Sequence, residues 1–114
     1  MQLLFSHANG YPPDSYRVLL ASLSENLGLP VSTHAHRPLV SDSPPPTFLS
    51  WQTYASDLIE RIEVDEHGPV WLIGHSMGAA SALLAAARRP DLFAGIVALD
   101  PVLVPTRIWF WARV

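Results

Sequence analysis

The sequence contains no cysteine, which excludes disulfides and thiolate metal sites. Charged residues are scarce, 15% of 114 positions, and they form no block of one sign. With a formal net charge of −3, that scatter excludes a nucleic-acid-binding stripe and a polybasic membrane patch. No apolar run reaches the roughly 18 residues needed for a membrane span. Met1-Gln2-Leu3-Leu4-Phe5-Ser6-His7 carries no basic region and too short an apolar run for a signal peptide, so the expected setting is the cytoplasm. Histidine is absent from every position after His75. What the chain has in quantity is hydrophobic residues, 49% of the total, enough for the core of one folded domain and unlike a disordered segment.

Leu3-Leu4-Phe5 reads as a buried strand running into a loop of turn residues, Ser6 to Pro13. Asp14 or Ser15 is placed to cap a helix over roughly 15–27, with Tyr16, Leu19, Leu20, Leu23 and Leu27 at helical spacing and Gly28 as its stop. Pro30 to His36 is a second strand candidate. Val31, Thr33 and Ala35 share one face; Ser32, His34 and His36 share the other. Two histidines so spaced can bind zinc, but no further ligand stands near them in sequence, so polar contacts at a strand end are expected. Leu39 to Ser50, with Pro44-Pro45-Pro46, is an extended loop. Ser50 then caps an amphipathic helix marked by Trp51, Tyr54, Ala55, Leu58, Ile59 and Ile62, with Asp57 and Arg61 as an i,i+4 pair. Val70 to Ile73 is a third strand, Met77 to Arg88 a nearly all-apolar helix, and Gly95 to Leu99 a fourth strand ending in Asp100-Pro101. This alternation predicts an α/β fold with about four parallel strands and helices on both faces.

The chemistry-bearing stretch is Gly74-His75-Ser76-Met77-Gly78, between a β-branched strand and a small-residue helix. This is the G-x-S-x-G pattern of a nucleophile elbow, a tight strand-to-helix turn that exposes a serine hydroxyl. Glycines on either side let strand and helix pack closely around the turn. The Met77 N–H then falls at a helix N-terminus, suited to a developing oxyanion. The plain alternative is a strand–loop–helix connection whose serine caps the helix.

These residues carry a resemblance. The chain resembles the N-terminal part of an α/β-hydrolase core, over most of its length. Gly74 to Gly78 resembles the nucleophile elbow, Phe5-Ser6-His7-Ala8-Asn9-Gly10-Tyr11-Pro12 the oxyanion loop, and Leu99-Asp100-Pro101 the end of the strand after the elbow. The resemblance implies residues 1–104 as a partial core, and 105–114, with Trp109-Phe110-Trp111, as a tail or the start of a truncated cap. It implies the sheet order second, first, third, fourth strand. Ser76 is implied as nucleophile of an ester-type acyl hydrolysis, with the Met77 and Tyr11 backbone N–H groups as oxyanion donors. Asn9 or Ala8 replaces Tyr11 if the loop aligns differently. Asp100 stands where a minority of the family places the triad acid.

In the family the nucleophile is followed along the chain by the acid and then the histidine. Here the histidine is missing, and without a base a serine hydroxyl is a poor nucleophile. His7, in the oxyanion loop, is expected to shape that loop rather than act as base, and His75 to pack within the fold. The implied reaction is cofactor-free and metal-free, with a small-molecule acyl substrate. Open sheet edges allow self-association. The competing reading is a non-catalytic truncated remnant, retained as a binding or interaction module.

Overall fold

The structure, a computed structural model, describes residues 1–37 and 51–102. The expected proline loop, the Ser50 cap and the aromatic tail lie outside the described residues, wholly or in part. The elements run β1 (Leu3–Ser6), a 3-10 turn (Pro13–Tyr16), α1 (Arg17–Leu27), β2 (Val31–His34), α2 (Gln52–Asp65), β3 (Val70–His75), α3 (Met77–Arg88), a 3-10 turn (Pro90–Leu92) and β4 (Phe93–Leu99). The four strands form one parallel sheet in the order β2-β1-β3-β4, as the resemblance implied.

Side-chain alternation assigns the two faces. Leu4, Val70 and Leu72 point to α2 and α3, where they join Ala55, Leu58, Ile62, Ala82 and Ala85 in the buried core. Leu3, Phe5, Trp71, Ile73, Val97 and Leu99 point the other way, toward α1. The helix α3 is rich in alanine, which lets it lie close on the sheet, and it buries Met77 through Ala82. On the opposite face α1 buries none of its residues. Its Leu19, Leu20, Leu23 and Leu27 instead line an open apolar cleft of about 370 Å³ with the sheet.

Element ends differ from the sequence reading in explicable ways. The first helix begins as a 3-10 turn at Pro13, with no side-chain cap from Asp14 or Ser15, and becomes α-helical at Arg17. It stops at Gly28, which takes the left-handed φ of 66°. The fourth strand starts at Phe93 rather than Gly95, because Gly95 does not break the strand but makes room for the Trp71 ring. The pairing expected between Asp57 and Arg61 is replaced by other partners for each. Asp57 accepts two hydrogen bonds from Arg37, both 2.6 Å, tying the end of β2 to α2. Arg61 pairs instead with Glu66 at 3.0 Å and Asp65 at 3.4 Å.

Register decides what meets at the carboxyl ends of the strands. Ser6 pairs with both His34 and Gly74, and His75 pairs with Leu99. The loop after β1 and the turn after β3 therefore leave the sheet side by side.

Candidate active site

Ser76 sits between the last residue of β3 and the first of α3 with φ 52° and ψ −112°. A positive φ is unusual for a residue with a Cβ and costs of order 1–3 kcal/mol, a strain that surrounding structure must hold in place. Three contacts hold it. The Ser76 N–H donates to the Leu99 carbonyl at 2.9 Å, its carbonyl accepts from Ala80 N–H at 3.0 Å, and both flanking glycines are in close packing. A Cβ on Gly74 would lie 2.6 Å from the Ala79 Cα, and one on Gly78 would lie 2.1 Å from the Ser6 carbonyl oxygen. The G-x-S-x-G spacing is thus a packing requirement. It seats the start of α3 against β3 on one side and the backbone of the β1 loop on the other.

That loop is held by a network around Ala8. The Ala8 carbonyl accepts from Tyr11 N–H at 3.2 Å, closing a turn in which Gly10 takes φ 80°, the conformation a type II turn needs at its third position. His7 Nδ1 also bonds the Ala8 carbonyl, at 2.7 Å. Since a carbonyl only accepts, His7 donates from Nδ1, and its Nε2 accepts the His36 N–H at 2.9 Å. Both ring nitrogens of His7 are therefore engaged. His7 shapes the loop, as expected, and has no nitrogen left to take a proton from Ser76. The Ala8 N–H donates to the Tyr16 hydroxyl at 3.1 Å, and that hydroxyl also bonds His75 Nδ1 at 2.8 Å. Among the described residues no acceptor takes the Asn9 N–H, and the Met77 N–H, first in its helix, has no intrahelical partner.

Behind the loop lies a buried polar cluster. The Ser6 hydroxyl bonds His36 Nε2 at 2.6 Å, and the His34 and His36 rings meet edge to face with centroids 4.6 Å apart. His34 Nε2 and His36 Nδ1 have no partner among the described residues. Burial, helped by the Arg61 charge, lowers the His34 pKa to about 4. Burial and the neighbouring His34 lower that of His36 to about 3. Both rings are thus neutral near pH 7. No group of three or more potential metal ligands exists among the described residues.

Asp100 follows Leu99 with φ 49° and is exposed, and no hydrogen bond joins its carboxylate to a histidine among the described residues. Nor does any described side chain bond the Ser76 hydroxyl. Tyr11 is exposed, and its N–H is committed to the Ala8 turn. Tyr16 is a site residue that helical spacing alone does not reveal; only the position of its hydroxyl shows that it reaches both loop and elbow.

A profile of the "Alpha/beta hydrolase family" matches residues 3–114. The chain belongs to the α/β-hydrolase family. Within it, the chain is 33% identical over 115 residues to a protein named monoglyceride lipase from Homo sapiens, covering 90% of this chain and 35% of that protein. It is 32% identical over 99 residues to 2-(acetamidomethylene)succinate hydrolase from Mesorhizobium japonicum, covering 86% of this chain and 34% of that one. An extracellular α/β-hydrolase from a Paenibacillus species superimposes with a TM-score of 0.70 at 18% identity, over 92% of this chain and 42% of that structure. This α/β-hydrolase chain thus spans about a third of the length of its curated relatives. No described helix is long and apolar enough to cross a membrane.

Proposed function

We propose that this chain is the N-terminal part of the core of a serine hydrolase that cleaves small acyl esters in the cytoplasm. The observation that carries the reading is the strained Ser76 at φ 52°, set between β3 and the first N–H of α3. A strained serine at such a junction is hard to explain as a mere helix cap, and Ser76 makes no side-chain cap bond. Relatives named monoglyceride lipase support an acyl ester as the substrate class.

In this reading Ser76 Oγ attacks the ester carbonyl and passes its proton to a base. The carbonyl oxygen becomes an anion between two backbone donors, an arrangement of the kind whose loss lowers turnover about 10²–10³-fold. Met77 N–H is one donor. Of the three loop candidates, Tyr11 N–H is committed to the Ala8 carbonyl and Ala8 N–H to Tyr16. We therefore assign the second donor to Asn9, in place of the Tyr11 of the first alignment. The base and acid belong to sequence outside these residues, since both His7 nitrogens are engaged and no histidine follows His75. Collapse of the tetrahedral intermediate expels the alcohol and leaves an acyl-serine, which water then cleaves. No cofactor is required.

A second reading is a non-catalytic remnant that acts, if at all, as a binding or self-associating module. Its support is the absence of any described side chain bonded to Ser76 Oγ, together with the outer edges of β2 and β4, which pair with no strand among the described residues. A fluorophosphonate probe applied to the native product in its source cells separates the two. A labelled species of roughly twice this length or more, modified at Ser76, is expected on the hydrolase reading. An unlabelled product of 12.5 kDa would overturn it in favour of the remnant.

A further inference from the structure

We infer that Tyr16 is a positioning residue that locks the oxyanion loop to the nucleophile elbow, through one hydroxyl shared by the Ala8 amide and the His75 imidazole. The inference rests on the proposed use of the Asn9 and Met77 N–H groups as oxyanion donors.

Donor counting fixes one of the two bond directions. Ala8 N–H can only donate, so at 3.1 Å the Tyr16 oxygen accepts from it. The same hydroxyl bonds His75 Nδ1, 2.8 Å away, either by donating its proton to a bare Nδ1 or by accepting from Nδ1–H with its second lone pair. The tyrosine ring is fixed as well. It lies 4.5 Å from Phe5, centroid to centroid, and meets His75 edge to face at 5.8 Å. Phe5 is in β1 and His75 ends β3, so the phenol is gripped by the two strands that feed the site.

The consequence is geometric. The two proposed oxyanion donors stand 68 positions apart in sequence, and each follows closely a group bonded to the same hydroxyl: Asn9 one residue after Ala8, and Met77 two residues after His75. Among the described residues the Ala8 peptide groups receive further bonds only from His7 and Tyr11, both within the loop itself. Among the described residues the Tyr16 hydroxyl is therefore the direct side-chain hydrogen-bond link from this loop to the elbow. A tyrosine kept for packing alone would be replaced by phenylalanine with no effect on either bonded neighbour.

The test is NMR on the ¹⁵N-labelled chain at about pH 8, where an ordinary imidazole is neutral. In the unaltered chain His75 Nδ1 is expected to be hydrogen-bonded, whether as acceptor or as donor. Finding His75 Nδ1 in no hydrogen bond overturns the proposal whether or not any variant folds. In Tyr16→Phe the Ala8 amide is expected to exchange about 3- to 10-fold faster, the fold-change for one lost hydrogen bond, with the Leu72 amide in β3 as a steady reference. The His75 Nδ1 resonance should shift with it. Unchanged Ala8 and His75 signals, or equal acceleration at Leu72, would assign Tyr16 to packing and overturn the proposal. These readouts need no turnover. A failure of Ser76 to react with the fluorophosphonate would count against the hydrolase reading and leave the bridge standing, and the converse holds.

Discussion

Gly78 lies against Ser6 so closely that a Cβ on the glycine would sit 2.1 Å from the Ser6 carbonyl oxygen. The first turn of α3 and the end of β1 thus touch backbone to backbone. The contact fixes the spacing between the serine turn and the neighbouring loop.

Gly78→Ala is therefore expected to destabilise the chain by about 3 kcal/mol or more, at the upper end for overpacking, because the obstructing atoms are backbone. Gly95→Ala is the contrast. There a Cβ would meet the far end of the Trp71 indole, a half-exposed side chain that can turn aside, and the expected loss is about 1 kcal/mol. Urea denaturation of both variants checks the ordering, and equal losses would contradict it.

Replacing Ser76 by glycine is expected to stabilise the chain by about 1 kcal/mol relative to Ser76→Ala. Both variants lack the hydroxyl, but only glycine accepts φ 52° and ψ −112° without strain. Equal midpoints of denaturation would mean that the elbow stores no strain at this position.

Stability should fall as the medium is acidified from about pH 6.5. In the unfolded chain His34 and His36 take up protons near their ordinary value of 6.5. In the fold they resist until about 4 and about 3, because burial disfavours the charged rings. The unfolded state binds more protons across that window. The folded state is thus fully favoured above pH 6.5 and loses ground below it, by up to about 1.4 kcal/mol per pH unit for each histidine. His34→Gln should reduce that slope by about half. Its Nε2 has no partner among the described residues, so the replacement breaks no bond at that atom. A slope unchanged by the substitution would locate the acid sensitivity elsewhere.

Much of this was legible from the residues alone. The runs Leu3–Phe5 and Val70–Ile73, the apolar spacing of α2, and the elbow motif each obey a local rule, and each element appears where that rule puts it. Gly28 and Arg88 mark helix ends correctly for the same reason. What was not legible depends on partners distant in sequence. Asp57 has Arg61 at ideal helical spacing, yet it turns to Arg37, which reaches it with two donors at once. The hydroxyl of Tyr16 and the two engaged nitrogens of His7 are likewise set by the parallel register of β1 with β2 and β3, which no local pattern encodes. Which of the Ala8, Asn9 and Tyr11 amides is left without an acceptor among the described residues is also set by bonds that no local pattern encodes.

The central proposal is that Ser76 acts as a nucleophile and that its base is not among these residues. The most direct measurement is hydrolysis of an activated aryl ester by the 114-residue chain beside its Ser76→Ala variant. The account predicts equal rates, because no histidine follows His75 and both nitrogens of His7 are already bonded. A clear Ser76-dependent rate would contradict it and require a base among these residues.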